Sequence, residues 1–332
     1  MQVCRTVKGG VCSAKGFRAA GVAAEVKYRG RNDVALIVAD EPCAAAALFT
    51  TNKVAAAPVV YDRSVVKGGR VQAILANSGC ANACTGEGGL ADARLSALVT
   101  AGELGIDPHH VLVASTGVIG RRLPMDRLLA GMKLAKLALG RTPKHALDAT
   151  KAIMTTDTRP KQACATTVVG GKKVTVGGMS KGSGMIEPNM ATMLGFVTTD
   201  AAVSPRMLKR ALQLAVGRSF NRLVVDGDES TNDSVFLLAS GKAGNRLIDA
   251  PGKDFDAFLA ALESVCVSLA KQMATDGEGA TKFVTVTVRG AKSERDAERA
   301  ARAVAKSPLA KTSWFGKEIG RASCRERVYS GV

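Results

Sequence analysis

The chain has 332 residues, 46% of them hydrophobic and only 4% aromatic, and carries a formal net charge of +17. That is enough apolar material for one large domain or two smaller ones, with a core built from Ala, Val, Leu and Met rather than from rings. No run of about 20 apolar residues suggests a membrane span, and no apolar segment with a small-residue cleavage site follows Met1, so the expectation is a cytoplasmic protein with no membrane contact.

The positive charge points either to an anionic partner or to a basic, solvated surface. Lys and Arg are dispersed, and one Trp and three Tyr offer little for base stacking, so no nucleic-acid role is expected. Eight cysteines without a secretory context read as free thiols rather than as a disulfide framework. Cys80 and Cys84 are spaced C-x3-C with no second pair behind them, and His109-His110 reads as a loop, so no metal site is expected. Neither a Walker-type loop nor a dinucleotide glycine motif is present.

In chain order, residues 1–30 read as extended segments and loops. Asp33–Ala39 is a short buried strand, and a separate apolar run, Ala44–Phe49, leads to the polar break Thr50-Thr51-Asn52. Val71–Ala76 is a further strand, ending in the small-residue turn Asn77–Asn82. Asp92–Leu104 predicts an amphipathic helix with Leu95, Leu98, Val99 and Leu104 on its apolar face. Val111–Ala114 predicts a strand and Ser115–Gly120 a loop. Pro124 opens a helix to Leu139, and Pro143 opens another to Met154. Lys172–Val176 is a short strand. Ser204-Pro205 caps a helix to Val216. Leu223–Val225 and Val235–Ala239 read as strands, Phe255–Met273 as a long helix, and Lys282–Arg289 as a half-buried strand by strict alternation. Ser293 caps a helix to Lys306. The mixture sets the fold class as α/β (α+β).

One segment stands apart, Lys181–Asp200. It begins with a basic, glycine-rich loop, turns at Pro188-Asn189, and enters the apolar run Met193–Val197 through Ala191-Thr192. On its own it reads as a loop feeding a buried strand. A hydroxyl fixed at the start of that strand is also a possible nucleophile, and a chain cut in front of it would offer its own amine as the base.

Several motifs occur together in one order: Phe49-Thr-Thr-Asn52, Asn77-Ser-Gly-Cys-Ala-Asn82, Ser115-Thr-Gly-Val-Ile-Gly120, Met154-Thr-Thr-Asp-Thr158, Lys181–Leu194, Val225-Asp-Gly-Asp228 with Ser230-Thr-Asn-Asp233, and Asp276-Gly-Glu-Gly-Ala-Thr-Lys282. In these stretches the sequence resembles the glutamate N-acetyltransferase (ornithine acetyltransferase) family of arginine biosynthesis. The resemblance implies a layered helix–sheet–sheet–helix fold of the self-cleaving ornithine acetyltransferase and aminopeptidase type. It implies self-cleavage between Ala191 and Thr192, with Thr192 as the nucleophile that carries acetyl from N2-acetylornithine to glutamate. It also implies an oxyanion hole at Thr116 and Gly117, and substrate contacts at Thr155, Lys181, Thr192 and Glu278. No cofactor is implied, with acetyl-CoA as a possible co-substrate, and the family's assembly is an α2β2 heterotetramer. Lys181 and Glu278, of opposite charge, suit a substrate bearing a carboxylate and an amine. Asp226 and Asp228 read as a turn beside the cleft.

The same comparison divides the chain into a catalytic core over 1–280, the beginning of a C-terminal subdomain over 281–317, and a tail, 318–332, that resembles a translated sequencing adapter. Two other functions fit the residues: an N-terminal-nucleophile aminopeptidase or amidase with water as acceptor, and a basic, non-catalytic fragment.

Overall fold

The computed structural model describes residues 4–187 and 193–318. The first half of the chain runs β1 (Arg5–Val7), β2 (Phe17–Val22), β3 (Val34–Phe49), α1 (Ala57–Val65), β4 (Arg70–Asn77), α2 (Gly86–Leu104), β5 (Val111–Ser115), α3 (Met125–Leu137) and α4 (Pro143–Ala152). The second runs β6 (Lys161–Val169), β7 (Lys172–Lys181), β8 (Leu194–Thr199), α5 (Pro205–Gly217), β9 (Ser234–Ala239), α6 (Lys253–Ala274), α7 (Glu294–Lys306) and α8 (Pro308–Phe315).

One strand organises the sheet. The two apolar runs expected on either side of residue 40 form a single 16-residue strand, β3. Its ladder with β4 shifts register between Val38 and Cys43, where Pro42 lacks the N–H that a regular ladder needs. Before the shift β3 lies between β2 and β4; after it, β3 pairs with β9. The hydrogen-bonded path β1-β6-β7-β8-β9-β3-β4-β5 is therefore continuous, with β2 added on β3. It nevertheless packs as two layers.

Side-chain alternation shows those layers. Val34, Leu36 and Val38 face the cluster formed with α2 and α3, whereas Ala35, Ile37 and Ala39 face an inner cluster. On the other half, Phe196, Phe236 and Leu238 face the same inner cluster, and Val197, Val235 and Leu237 face α5 and α6. Phe196 and Phe236 stack there with ring centroids 5.4 Å apart. The architecture is the expected helix–sheet–sheet–helix sandwich, with its core between the sheets and further cores beneath the helices.

Helix α6 qualifies by length and composition as a membrane span, contrary to the sequence expectation. Phe258, Leu262, Val265 and Leu269 are buried in the protein, and the helix lies on β6 and β7. A Cβ on Gly178 of β7 would stand 3.1 Å from both Val265 and Leu269, so the bare glycine lets helix and strand meet. It is a core helix.

Three expectations are corrected. The buried face of α2 is rotated from the expected one: Val99 and Leu104 pack against the core as expected, but Leu95 and Leu98 are exposed, while Ala93, Ser96, Ala97, Thr100 and Ala101 are buried. Ser96 and Thr100 satisfy their hydroxyls on carbonyls one turn back, each at 2.7 Å, so a small polar face goes inside without orphaned groups. Residues 282–289 form no strand, and Phe283 and Val284 are exposed; alternation supplies a face, but no described strand lies alongside to complete a ladder. Leu223–Val225 is loop, held by Val225 N–H on the Ile186 carbonyl at 2.8 Å. Strand β6 and helices α1 and α8 were not foreseen. β6 is written in Ala, Cys and Thr rather than in large apolar residues, and the two helices are short.

The small-residue face of α2 is testable. Ala97→Leu should lower the unfolding free energy by about 1–3 kcal/mol through overpacking, and Leu98→Ser should change it by less than about 0.5 kcal/mol, both read from urea unfolding midpoints. The opposite ranking would restore the face read from the sequence.

Candidate active site

The site is assembled around a lysine with no access to solvent. Lys161, the first residue of β6, is fully buried, and its Nζ donates to Asp157 Oδ1 at 2.6 Å and to Asp276 Oδ2 at 2.5 Å. Each carboxylate also accepts from neighbouring backbone, and Asp276 from a hydroxyl as well. Asp157 accepts the Gly182 N–H at 2.8 Å and the Thr155 N–H at 3.1 Å. Asp276 accepts the Thr158 N–H at 3.1 Å and the Thr158 hydroxyl. Ser183 Oγ donates to the Asp276 carbonyl at 2.6 Å, and the Glu278 N–H to the Ser183 carbonyl at 3.0 Å. Three segments distant in sequence, 155–158, 181–184 and 276–278, are thereby tied into one wall.

Burial alone would raise the pKa of both acids. For Asp157, Lys181, Lys161 and the Gly182 N–H outweigh it; for Asp276, Lys161 and Thr158 do so. Both therefore lie below the ordinary carboxylate range and remain charged at neutral pH.

Lys181, at the end of β7, is the second buried cation. Its Nζ donates to Thr116 Oγ1 at 3.2 Å. Burial lowers its pKa, against the opposing pull of Asp157, Asp233 and Glu278, which identifies the acids around it. The Glu278 carboxylate approaches the same loop: a Cβ on Gly184 would stand 2.6 Å from its Oε1.

Thr116 and Gly117 follow β5 in a tight turn. The Thr116 N–H donates to the Asn77 carbonyl at 3.0 Å, and Thr116 bridges to Cys80. Gly117 has φ +133°, and a Cβ there would stand 2.4 Å from the Gly79 carbonyl carbon. Only glycine fits both the dihedral and the space.

The segment before β9 links this turn to β8. Asn232 Nδ2 donates to the Ala81 carbonyl at 2.6 Å and to the Ser115 carbonyl at 2.8 Å. Asp233 Oδ1 accepts the Met193 N–H at 2.7 Å. On the near side, Asp226 accepts the Met185 and Ile186 N–H groups at 2.5 and 2.8 Å, and the Asp228 N–H at 3.1 Å closes the turn expected there. The buried Glu187 carboxylate pairs with Lys306 of α7, so α7 reaches the same loop.

Of the residues singled out in the sequence, Thr116, Gly117, Lys181, Thr155 and Glu278 converge on this one region. Ala191 and Thr192 lie outside the described residues; their described neighbours Glu187 and Met193 are held as above. Sequence reasoning missed Lys161, Asp157, Asp276, Asn232 and Asp233. Four of these sit inside motifs already quoted; Asp157 and Asp276 each stand two residues from one given a role, Thr155 and Glu278, whereas no residue of the 230–233 motif had been given one. No group of three His, Cys, Asp or Glu side chains placed to hold a metal occurs among the described residues.

Lys161→Met removes the hydrogen-bonded cation from two buried carboxylates, leaving Asp157 only the charge of Lys181 and Asp276 only half-exposed Arg159 at 3.9 Å, and should cost about 3–5 kcal/mol at pH 7. Asp157 and Asp276 have depressed folded pKa values, so their contribution is full above the unfolded carboxylate pKa of about 3.9 and is lost as pH falls through the folded values. In the variant those acids gain protons more readily. Chemical denaturation at several pH values should show the gap between wild type and variant narrowing from pH 7 toward pH 4; a constant gap contradicts a charged triad.

Comparison with known proteins identifies the family. Residues 18–324 match the model of the ArgJ family. The chain is 54% identical over 312 residues to the arginine biosynthesis bifunctional protein ArgJ of Symbiobacterium thermophilum, covering 93% of this chain and 77% of that protein. It is 50% identical to the protein of the same name from Geobacter sulfurreducens, covering 96% and 81%. Among solved structures, the ArgJ of Bacillus halodurans is 46% identical, with a TM-score of 0.55 over 57% of this chain and 98% of that one. The ornithine acetyltransferase of Mycobacterium tuberculosis, solved with ornithine, is 41% identical, with a TM-score of 0.53 over 56% and 99%. A beta-aminopeptidase from Burkholderia sp. shares the fold at 14% identity, with a TM-score of 0.52 over 82% of this chain and 90% of that one. The chain belongs to the ArgJ family.

Proposed function

We propose that the chain is a self-processing acetyltransferase of arginine biosynthesis, moving acetyl from N2-acetylornithine to glutamate through an ester on Thr192. The observation that carries this reading is the hydrogen bond from buried Lys181 to Thr116, which gathers the substrate-binding and oxyanion groups of the family at the end of β5 and β7.

The chemistry follows from the groups in place. Cleavage before Thr192 frees an amine able to take the proton of its own hydroxyl. The hydroxyl oxygen attacks the acetyl carbonyl, and negative charge collects on the carbonyl oxygen. Thr116 and Gly117 are the donors for that charge, fixed by the Asn77 and Gly79 backbone before any substrate arrives. Lys181 occupies a lone pair of Thr116 Oγ1, which leaves the hydroxyl proton free to point elsewhere. Collapse expels ornithine, and glutamate then takes the acetyl group by the reverse steps.

Lys181 and Glu278 present a cation and an anion to a substrate that bears one of each, and Thr155 borders the same wall through Asp157. Acetyl-CoA is a second acetyl donor in this reading, supported by the word bifunctional in the relatives' names. The working assembly is an α2β2 heterotetramer, with the 1–191 and 192–332 fragments as its α and β chains. The likeness to aminopeptidases at 13–14% identity concerns the fold and does not favour hydrolysis.

Isotope-labelled N2-acetylornithine should pass its label to glutamate with parallel-line, ping-pong kinetics. Release of free acetate at the same rate with and without glutamate would indicate a hydrolase instead. Labelled acetyl-CoA offered alone with glutamate should also yield labelled acetylglutamate; no transfer limits the enzyme to the ornithine cycle. Thr116→Val keeps the side-chain shape and removes one donor, and should lower kcat about 10²–10³-fold with little change in KM.

A further inference from the structure

The loop between β2 and β3 gathers cations that the acetyl-transfer chemistry does not use. Lys27, Arg29 and Arg31 lie on it, and Glu25 is its one exposed carboxylate. The Lys27 amine stands 4.6 Å from the Tyr28 ring centroid and the Arg31 guanidinium 4.7 Å, so one ring holds two positive charges. Arg127 of α3 donates to the Glu25 carbonyl at 2.7 Å. Arg121 is exposed beside Cys80, whose thiol donates to the Arg121 carbonyl at 3.3 Å. Among the described residues Lys27, Arg31, Arg121 and Arg127 form no salt bridge, and Arg29 has Glu25 at 4.0 Å in an exposed pair. A merely solvated basic surface disperses its cations; here they are gathered, which favours an anion.

The loop is also held, and held against the Thr116–Gly117 turn. Asp33 is fully buried and accepts the Ala24 and Val26 N–H groups on its two carboxyl oxygens, each at 2.7 Å. Its carbonyl accepts the Ser78 N–H at 2.9 Å, so one residue ties the loop to the turn after β4. A Cβ on Gly79 would stand 2.6 Å from Lys27 Cβ, just as one on Gly117 would meet Gly79. Lys27, Gly79 and Gly117 therefore stack in close succession. At the loop's other end Arg31 donates to the Met154 carbonyl, next to Thr155. The cations thus border the site from the Thr116–Gly117 turn to the Thr155 wall, on a frame that needs no ordering when a ligand arrives.

We propose that this rim, Lys27, Arg29 and Arg31 with Arg121 and Arg127, binds the phosphate groups of acetyl-CoA while its thioester reaches the Thr116–Gly117 turn. Guanidinium forks match phosphate oxygens, and Lys27 adds a point charge. N2-acetylornithine carries no phosphate, so the rim serves one acetyl donor and not the other. The inference rests on the reading of acetyl-CoA as a second donor.

Binding tests it without turnover. Equilibrium dialysis of the full chain with CoA, dephospho-CoA and pantetheine should give affinities that fall in that order, and the CoA affinity should fall as salt rises. Lys27→Ala combined with Arg29→Ala should weaken CoA binding about 10-fold. Alanine keeps the Cβ that lies on Gly79, so the turn is undisturbed. Lys209→Ala combined with Lys253→Ala removes the same charge from exposed positions on α5 and α6, in the opposite helix layer, and should leave CoA binding unchanged. In turnover the loop variant should raise KM for acetyl-CoA by the same factor and keep wild-type kcat and KM with N2-acetylornithine. Equal affinity for CoA and pantetheine, equal losses in the two double variants, or an equal loss with both acetyl donors overturns the proposal. Loop-dependent CoA binding without acetyl transfer from acetyl-CoA would support the phosphate site and defeat the second-donor reading separately.

Discussion

The site depends on one desolvated cation. Lys161 has no solvent contact, and the two carboxylates it meets are themselves almost fully enclosed. Such a group is tolerable only where every charge is paired and every remaining lone pair is used. Asp157 and Asp276 meet that condition by reaching to the backbone of Thr155, Thr158 and Gly182. The requirement for pairing thus fixes the relative position of three segments that carry Thr155, Lys181 and Glu278.

A second constraint comes from the long strand β3. Its register shift lets one ladder serve two packed layers, and the ends of β5 and β7 and the start of β8 come to the same side of the sandwich. Across that side the Ser230–Asp233 segment acts as a bracket, with Asn232 on the turn before Gly117 and Asp233 on Met193. The Thr116–Gly117 turn and the entry to β8 are therefore held against each other by side-chain amide and carboxyl bonds. For the oxyanion role proposed for Thr116 and Gly117, that is the preorganisation an acyl transfer needs, since donors set in advance require no reorganisation when charge develops.

The sequence revealed much of this and missed the rest for identifiable reasons. Elements written in large apolar residues with clear caps were legible: α5 behind Ser204, α6, β8 and β9 all fall close to their expected places. Elements written in small residues were not. α2 buries alanines and hydroxyls and exposes Leu95 and Leu98, because close packing of small faces outweighs side-chain hydrophobicity there. Alternation at 282–289 predicted a strand without a partner to hold it. At the site, motif order pointed to Thr116, Gly117, Lys181, Thr155 and Glu278, but Lys161 was invisible: a lysine at a strand start reads as solvated until the fold encloses it.

The central claim is that Thr192 is both the product of self-cleavage and the carrier of the acetyl group. Mass spectrometry of the purified chain after brief exposure to N2-acetylornithine, with glutamate withheld, tests it most directly. The account predicts two fragments divided between residues 191 and 192, the second heavier by one acetyl group that localises to Thr192 and disappears when glutamate is added. A single uncut chain, or an acetyl group on any other residue, would contradict it.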